Sequence, residues 1–235
     1  MQEKGVTIIT ATGNRPEALQ LCAKYVLRQD WEGILQWIVV DDGVPESVIP
    51  ALPDRVRLHY ISAPNKWDGK TDTLRQNMLL AIKSVEFDLI FIFEDDDWYS
   101  PTYIRNQIRR MGEAELVGEV PSLYYHLPSR QYLMLNNRSH ASLCQTGFRR
   151  SFLPIFSAAC HGNDSFIDIR LWTAMVYKIL HESRRVIGMK GLPGRPGIGI
   201  GHRPERVTGW LPDPEMQMLE SWIGLEDANE YRGLV

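Results

Sequence analysis

Three strand-length runs along the chain each stop against polar side chains, and that pattern predicts the fold. Val6 to Thr10 is a β-branched run, followed by the polar turn Thr10-Ala11-Thr12-Gly13-Asn14-Arg15-Pro16. Trp37 to Val40 ends at Asp41-Asp42-Gly43, and Leu89 to Phe93 ends at Glu94-Asp95-Asp96-Asp97. Continuous apolar residues of strand length mark strands buried on both faces, as in the middle of a parallel sheet. Between the first two runs, Pro16 opens a helix that keeps Leu19, Cys22, Ala23, Val26 and Leu27 on one face. Strand, helix and strand make a βαβ unit, so the polar ends of the parallel strands share one sheet edge. In open α/β sheets that edge is where ligands bind.

The remaining pattern adds smaller elements. Val56 to Ile61 alternates weakly and predicts a strand. A helix follows from about Thr71, with Leu74, Met78, Ala81 and Ile82 inward and Arg75 and Asn77 on its early turns. Pro101 opens a helix with Ile104, Ile108 and Met111 on its core side. Tyr124-Tyr125-His126 and Tyr132 to Leu135 read as a hairpin across the sheet edge, and Ser142 to Phe148 as a strand or an approach to the site. His161-Gly162-Asn163-Asp164 leads into a helix bearing Ile167, Leu171, Ala174 and Met175, with Asn163 or Asp164 as its N-cap. Gly188 to Pro214 is rich in glycine and proline and has no period, which marks a functional loop or disorder. A tail with Met218, Trp222 and Leu225 reads as a packed helix. Neither an internal repeat nor a domain boundary is evident, so one domain is expected over 1–235.

The acid run carries the candidate chemistry. Residues two apart on an extended chain point the same way, so Asp95 and Asp97 are expected to face one site with Asp96 turned aside. Two aligned carboxylates repel each other unless a cation lies between them. Oxygen ligation favours a hard cation, Mg²⁺ or Mn²⁺.

Composition narrows the class. With 235 residues, 44% hydrophobic and 23% charged, the chain can bury a full α/β core. Its net charge of −3 gives no global attraction to nucleic acid or membrane, although Arg105, Arg109 and Arg110 cluster, as do Arg149-Arg150 and Arg184-Arg185. Cys22, Cys144 and Cys160 lack metal spacing and fit buried thiols in a reducing compartment. A signal-peptide pattern and a membrane-length apolar run are both missing, so a cytoplasmic protein is expected.

Four motifs in order resemble those of GT-A fold glycosyltransferases of the family 2 type, over roughly Val6 to Leu171 with a looser match to His202. They are Ile8-Ile9-Thr10-Ala11-Thr12 with Asn14-Arg15-Pro16, then Val39-Val40-Asp41-Asp42-Gly43, then Arg75-Gln76-Asn77, then Glu94-Asp95-Asp96-Asp97. The resemblance implies a Rossmann-like, mostly parallel sheet flanked by helices, with an irregular C-terminal loop and tail. It implies a nucleotide-sugar and metal half over about 1–118 and an acceptor half over about 119–235. The implied activity is metal-dependent, inverting hexosyl or pentosyl transfer from a nucleotide-sugar, UDP-linked, with Mn²⁺ or Mg²⁺. Thr10, Thr12 and Arg15 would line the nucleotide pocket, Asp41 would meet the base with Asp42 nearby, and Arg75 would contact phosphate or the acid loop. Asp95 would lie near ribose or donor sugar, Asp96 is counted among the donor-binding residues, and Asp97 would bind the metal with Asp95 and His202. The family's acidic pair at a helix start, whose second residue is the base, reads here as Asn163-Asp164. Asp164 is therefore the expected base, with Asp168, one turn on, as second choice.

Two other classes compete. A nucleotidyltransferase also uses acids on such a sheet, but its glycine-rich basic loop after the first strand is not found in Thr12-Gly13-Asn14-Arg15. A non-catalytic nucleotide- or glycan-binding module is the other. Acceptors left open are glycans, small molecules, proteins and a hydroxymethylated base of phage-type DNA, for which arginine clusters would make binding salt-dependent.

Overall fold

The computed structural model describes residues 4–162, 165–197 and 199–234. In chain order its elements are β1 (Gly5–Thr12), α1 (Pro16–Leu27), β2 (Ile34–Asp41), β3 (Val56–Ser62), α2 (Leu74–Ala81), β4 (Leu89–Ile92), β5 (Trp98–Tyr99) and α3 (Tyr103–Met111). Then follow β6 (Leu116–Val120), β7 (Ser122–His126), β8 (Gln131–Leu135), β9 (Thr146–Arg149), α4 (Leu153–His161), α5 (Ile167–Thr173), β10 (Lys178–Glu182) and β11 (Val186–Lys190). The chain ends with β12 (Leu211–Pro212), α6 (Gln217–Ile223) and α7 (Leu225–Arg232).

Among the described residues the main sheet runs β10-β6-β9-β4-β1-β2-β3. β1 is parallel to β2 and β4, with Thr12 level with Asp41 and Ile9 level with Ile92. β9 alone runs antiparallel to both its neighbours, β4 and β6. The apolar runs are two-faced, as their continuity requires. Ile8, Trp37, Val39, Phe91 and Phe93 pack toward α1, α3, α6 and α7, whereas Ile9, Ile38, Val40, Ile90 and Ile92 pack toward α2, α4 and α5. Cys22, Cys144 and Cys160 are unpaired and buried. No helix among the described residues is long and apolar enough to cross a membrane.

Four sequence expectations need correction. The β7–β8 hairpin forms, but it does not extend the main sheet; with β12, β11 and β5 it makes a second sheet. Gly188 to Lys190 is strand rather than loop, because β11 finds a parallel partner in β7. The helix bearing Ile167 and Leu171 starts at Ile167 and ends at Thr173, leaving Met175 outside it and 99% exposed. The tail is two helices broken at Gly224, whose φ of 86° suits glycine alone, and Leu225 is exposed.

The tail is tied to the first helix by one buried acid. Asp227 of α7 accepts hydrogen bonds from Lys24 Nζ at 2.9 Å, Arg28 Nη1 at 2.6 Å and Trp98 Nε1. Asp227→Ala leaves the Trp98 N–H without its acceptor and the partly buried Arg28 guanidinium without its ion pair, the Tyr99 carbonyl being its remaining acceptor. The expected cost is about 2–4 kcal/mol, read as a lower urea midpoint at unchanged m-value. A loss below about 0.5 kcal/mol, the size of an exposed ion pair, would show that this cluster does not hold the tail.

Candidate active site

The carboxyl ends of β1 and β4 open onto a cavity of about 980 Å³. Thr12, Arg15, Asp95, Asp96, Lys190 and His202 line it, together with Tyr124 of β7 and Asp168 of α5. Thr12 stands at the very end of β1, and its hydroxyl donates to Asp95 Oδ2 at 2.7 Å. Arg15, in the turn before α1, reaches Asp95 Oδ1 at 2.7 Å and Asp96 Oδ2 at 3.3 Å. Thr10 does not reach the cavity. It lies within the sheet on the α1 side, where its Oγ1 accepts from Trp37 Nε1–H at 3.0 Å and touches Cys22.

The acids do not alternate as an extended strand would have them. β4 stops at Ile92, and Asp95 and Asp96 lie in a turn. The turn sends the three aspartates to different partners. Asp95 is held by Thr12 and Arg15. Asp96, expected to turn aside, lines the cavity with its Oδ2 3.2 Å from His202 Nε2. Asp97 points into the protein, where Oδ1 accepts from the Met189 N–H at 3.0 Å and from Lys190 Nζ at 2.8 Å. Its Oδ2 is buried without a hydrogen-bond partner.

These surroundings separate the acids electrostatically. Burial would raise Asp96, but Lys190, Arg15 and His202 together hold it well below the usual carboxylate range. Burial outweighs the pull of Lys190 on Asp97, and repulsion from Asp96 adds to it, so its pKa is pushed up to about 6. Glu94 is raised well above its ordinary value by burial and by Asp97. Burial lowers His202, which favours the neutral imidazole that ligates metals.

Two donor groupings result. Asp96 and His202 face each other across the cavity wall. Glu94, Asp97 and Cys144 offer ligand atoms within 4.8 Å of one another. The first grouping suits a hard or borderline cation better, since its carboxylate is ionised and its imidazole neutral. The second needs protons removed from groups that burial keeps protonated, including a thiol pushed well above its ordinary value. The orphaned Oδ2 belongs to Asp97, a member of the second grouping that does not line the cavity.

The second strand's acids divide in the same way. Asp41 is spent on its own loop, accepting from the N–H groups of Gly43 and Ser47, both at 2.7 Å, and from the Tyr60 hydroxyl at 2.6 Å. Burial works against these bonds, which still hold it below its ordinary pKa. Asp42 faces Arg195 Nη1 at 2.8 Å and Asn77 Nδ2 at 2.9 Å, with Thr73 alongside. Arg75 lines the cavity. Its guanidinium donates to the carbonyls of Ala159 and Ser165 and so braces the chain ahead of α5.

Asp164 and Asn163 lie outside the described residues. Asp168, the second choice for the base, lies in the first turn of α5. Its Oδ1 accepts from the Ile169 N–H at 2.9 Å, and burial raises its pKa.

Lys190, Arg195 and Glu94 were not singled out from the sequence. Lys190 left a signal: it ends the apolar run Val186 to Met189 as the acids end β4. Arg195 left none, sitting in a Gly-Pro-rich loop. That loop is strapped down: the Arg195 N–H donates to Asn14 O at 3.1 Å, its carbonyl accepts from Arg15 Nε at 2.7 Å, and its guanidinium lies 4.4 Å from the Trp67 ring centroid. Gly194 before it has φ of 95° and no room for a side chain, since a Cβ would come 2.3 Å from Asn14 O.

No curated protein is similar to the chain in sequence. Among solved structures, S. aureus TarS superposes with a TM-score of 0.56 at 14% identity over 79% of this chain and 37% of TarS. Its 1–349 fragment gives 0.56 at 13% identity over 79% of this chain and 60% of the fragment. The same fragment in complex with UDP gives 0.50 at 13% identity over 76% and 61%. The chain thus spans less than two thirds of these proteins, and at such identity the likeness is one of fold: a mostly parallel sheet flanked by helices, the GT-A fold. In sequence, Glycosyl transferase family 2 matches residues 7–168, which run from β1 through the acid turn into the first turn of α5. That match takes in most of the chain, including the strand ends and acid turn on one side of the cavity, and the chain belongs to glycosyl transferase family 2.

Proposed function

We propose that the protein transfers a hexosyl or pentosyl group from a nucleoside diphosphate sugar to an acceptor hydroxyl, with inversion. The observation that carries this reading is the meeting of Asp96, His202, Arg15 and Lys190 at the cavity wall that Asp168 also lines. The TarS fragment of the same fold binds UDP, which supports a UDP-linked donor. A divalent cation, Mn²⁺ or Mg²⁺, held by Asp96 and His202 with Asp95 and Asp97 beside them, would offset the charge that develops on the leaving diphosphate. Arg15, fixed by Asp95 and Asp96, adds a cationic donor at the same end. Asp168, the second choice from the sequence, takes the acceptor proton: it lines the cavity, and burial raises its pKa, which makes it the stronger base, whereas Asp164 lies outside the described residues. A single base with no covalent sugar–enzyme step gives inversion.

We also propose a donor half over about 1–118 and an acceptor half over the remainder, with one exception. Lys190, Arg195 and His202 come from the later half yet contact the acids of the earlier one. The loop carrying Arg195 and His202 is the proposed lid over the donor, excluding water that would compete with the acceptor.

Calorimetric titration with UDP tests the reading. Mn²⁺ is expected to tighten UDP binding by about tenfold or more, and equal affinity with and without Mn²⁺ would contradict the cation's part. Arg195→Ala cuts the strap to Asp42 and Trp67. It is expected to raise the donor KM by about tenfold, the measure of one lost charge-assisted contact, with kcat little changed. Protease cleavage within 191–202 should quicken in the same variant. Unchanged KM and cleavage would remove the loop from the donor site.

A further inference from the structure

The acid motif already contains a cation. Lys190 is 5% exposed, and its Nζ lies 2.8 Å from Asp97 Oδ1 and 3.9 Å from Asp96 Oδ1. The ammonium also lies 5.7 Å from the Tyr124 ring centroid. Two glycines leave room for its stem: a Cβ on Gly201 would come 3.2 Å from Lys190 Cγ, and one on Gly188 would come 3.3 Å from Cε. The Met189 N–H fixes the same carboxylate oxygen from the backbone.

We infer that Lys190, alongside Arg15, is a resident counter-ion of the acid motif and a positioning residue that weakens its hold on a divalent cation until a nucleotide diphosphate arrives. This rests on the cation-assisted reading above. A divalent ion on Asp96 sits beside the lysine's fixed positive charge at the same carboxylates, and two cations so close repel strongly when buried. A diphosphate brings negative charge that both can share, so cation and donor favour each other's binding. Lys190 thereby discourages an ion without substrate and turns to the leaving diphosphate once it is bound.

Mn²⁺ binding followed by electron paramagnetic resonance, without sugar turnover, tests this. In nucleotide-free protein Lys190→Met is expected to bind Mn²⁺ at least about tenfold more tightly than wild type, a difference of about 1.4 kcal/mol. Lys190→Arg, which keeps the charge, is expected to stay near wild type. The tightening of Mn²⁺ by UDP should shrink in Lys190→Met. A lysine that only supports the fold would move affinity the other way, so equal or weaker binding in Lys190→Met overturns the inference and leaves the cation reading standing. Absence of Mn²⁺ binding in every protein at millimolar concentration overturns both. If Lys190→Met does not fold, Asp97→Asn is compared with Asp97→Asn/Lys190→Met, which leaves neither charge of the pair behind. The double variant is expected to bind Mn²⁺ at least about tenfold more tightly than Asp97→Asn, and equality overturns the inference.

Discussion

Asp168→Asn is expected to lower kcat by about 10²- to 10⁴-fold, the range for a lost general base, while donor affinity stays within about twofold. The amide keeps the side chain's shape and can still accept from the Ile169 N–H, so α5 keeps its first turn. What it loses is a place for the acceptor's proton. On the proposed reading the donor is held by Arg15, Asp96 and His202, with which Asp168 makes no hydrogen bond or ion pair. The pH profile adds a check: a base whose pKa is raised from 3.8 should give an acid limb of kcat/KM displaced upward from that value. Near wild-type kcat in Asp168→Asn, with loss in Asp164→Asn, would move the base to Asp164.

The second large effect is expected from Asp96→Asn, a loss of about 10²- to 10³-fold in kcat/KM, the scale of removing one electrostatic stabiliser. Asp96 is the acid that His202, Arg15 and Lys190 all approach, and their attraction keeps it ionised despite burial. An amide lacks the charge that draws them together. Asp97→Ala is a poorer test of the same site. It strips a fully buried Lys190 of its 2.8 Å partner, and breaking a buried pair on one side costs about 3–5 kcal/mol. Its inactivity would then report unfolding. Comparing thermal midpoints tells lost chemistry from lost fold in each variant: activity lost at a near wild-type midpoint reports the site, and a midpoint well below it reports unfolding. Full transfer by Asp96→Asn would take the cation site away from Asp96.

Local pattern carried the strands further than it carried the site. β1, β2 and β4 were legible because burial on both faces leaves continuous apolar runs. The β7–β8 hairpin was legible because its pairing is local. Its sheet was not, since the parallel partner β11 lies some sixty residues on and looked like the start of a loop. The acid run was placed after a strand end, as the structure has it, but the directions of its side chains were read by strand alternation, and the chain turns after Phe93. Thr10 failed for the opposite reason: it is still strand, and so its side chain stays in the core. The start of α5 was placed too early because Asn163 and Asp164 are good capping residues, whereas the helix begins at Ile167 without a side-chain cap. Lys190 and Arg195 gain their meaning from partners 93 and 153 residues away, which no local pattern reports.

The most direct test is nucleotide release from a panel of nucleoside diphosphate sugars with Mn²⁺, run beside a panel of nucleoside triphosphates. The expected result is UDP release from at least one UDP-sugar, falling to background in Asp96→Asn. Pyrophosphate release from a triphosphate, with every sugar donor left intact, would contradict glycosyl transfer and point to nucleotidyl transfer on the same acids.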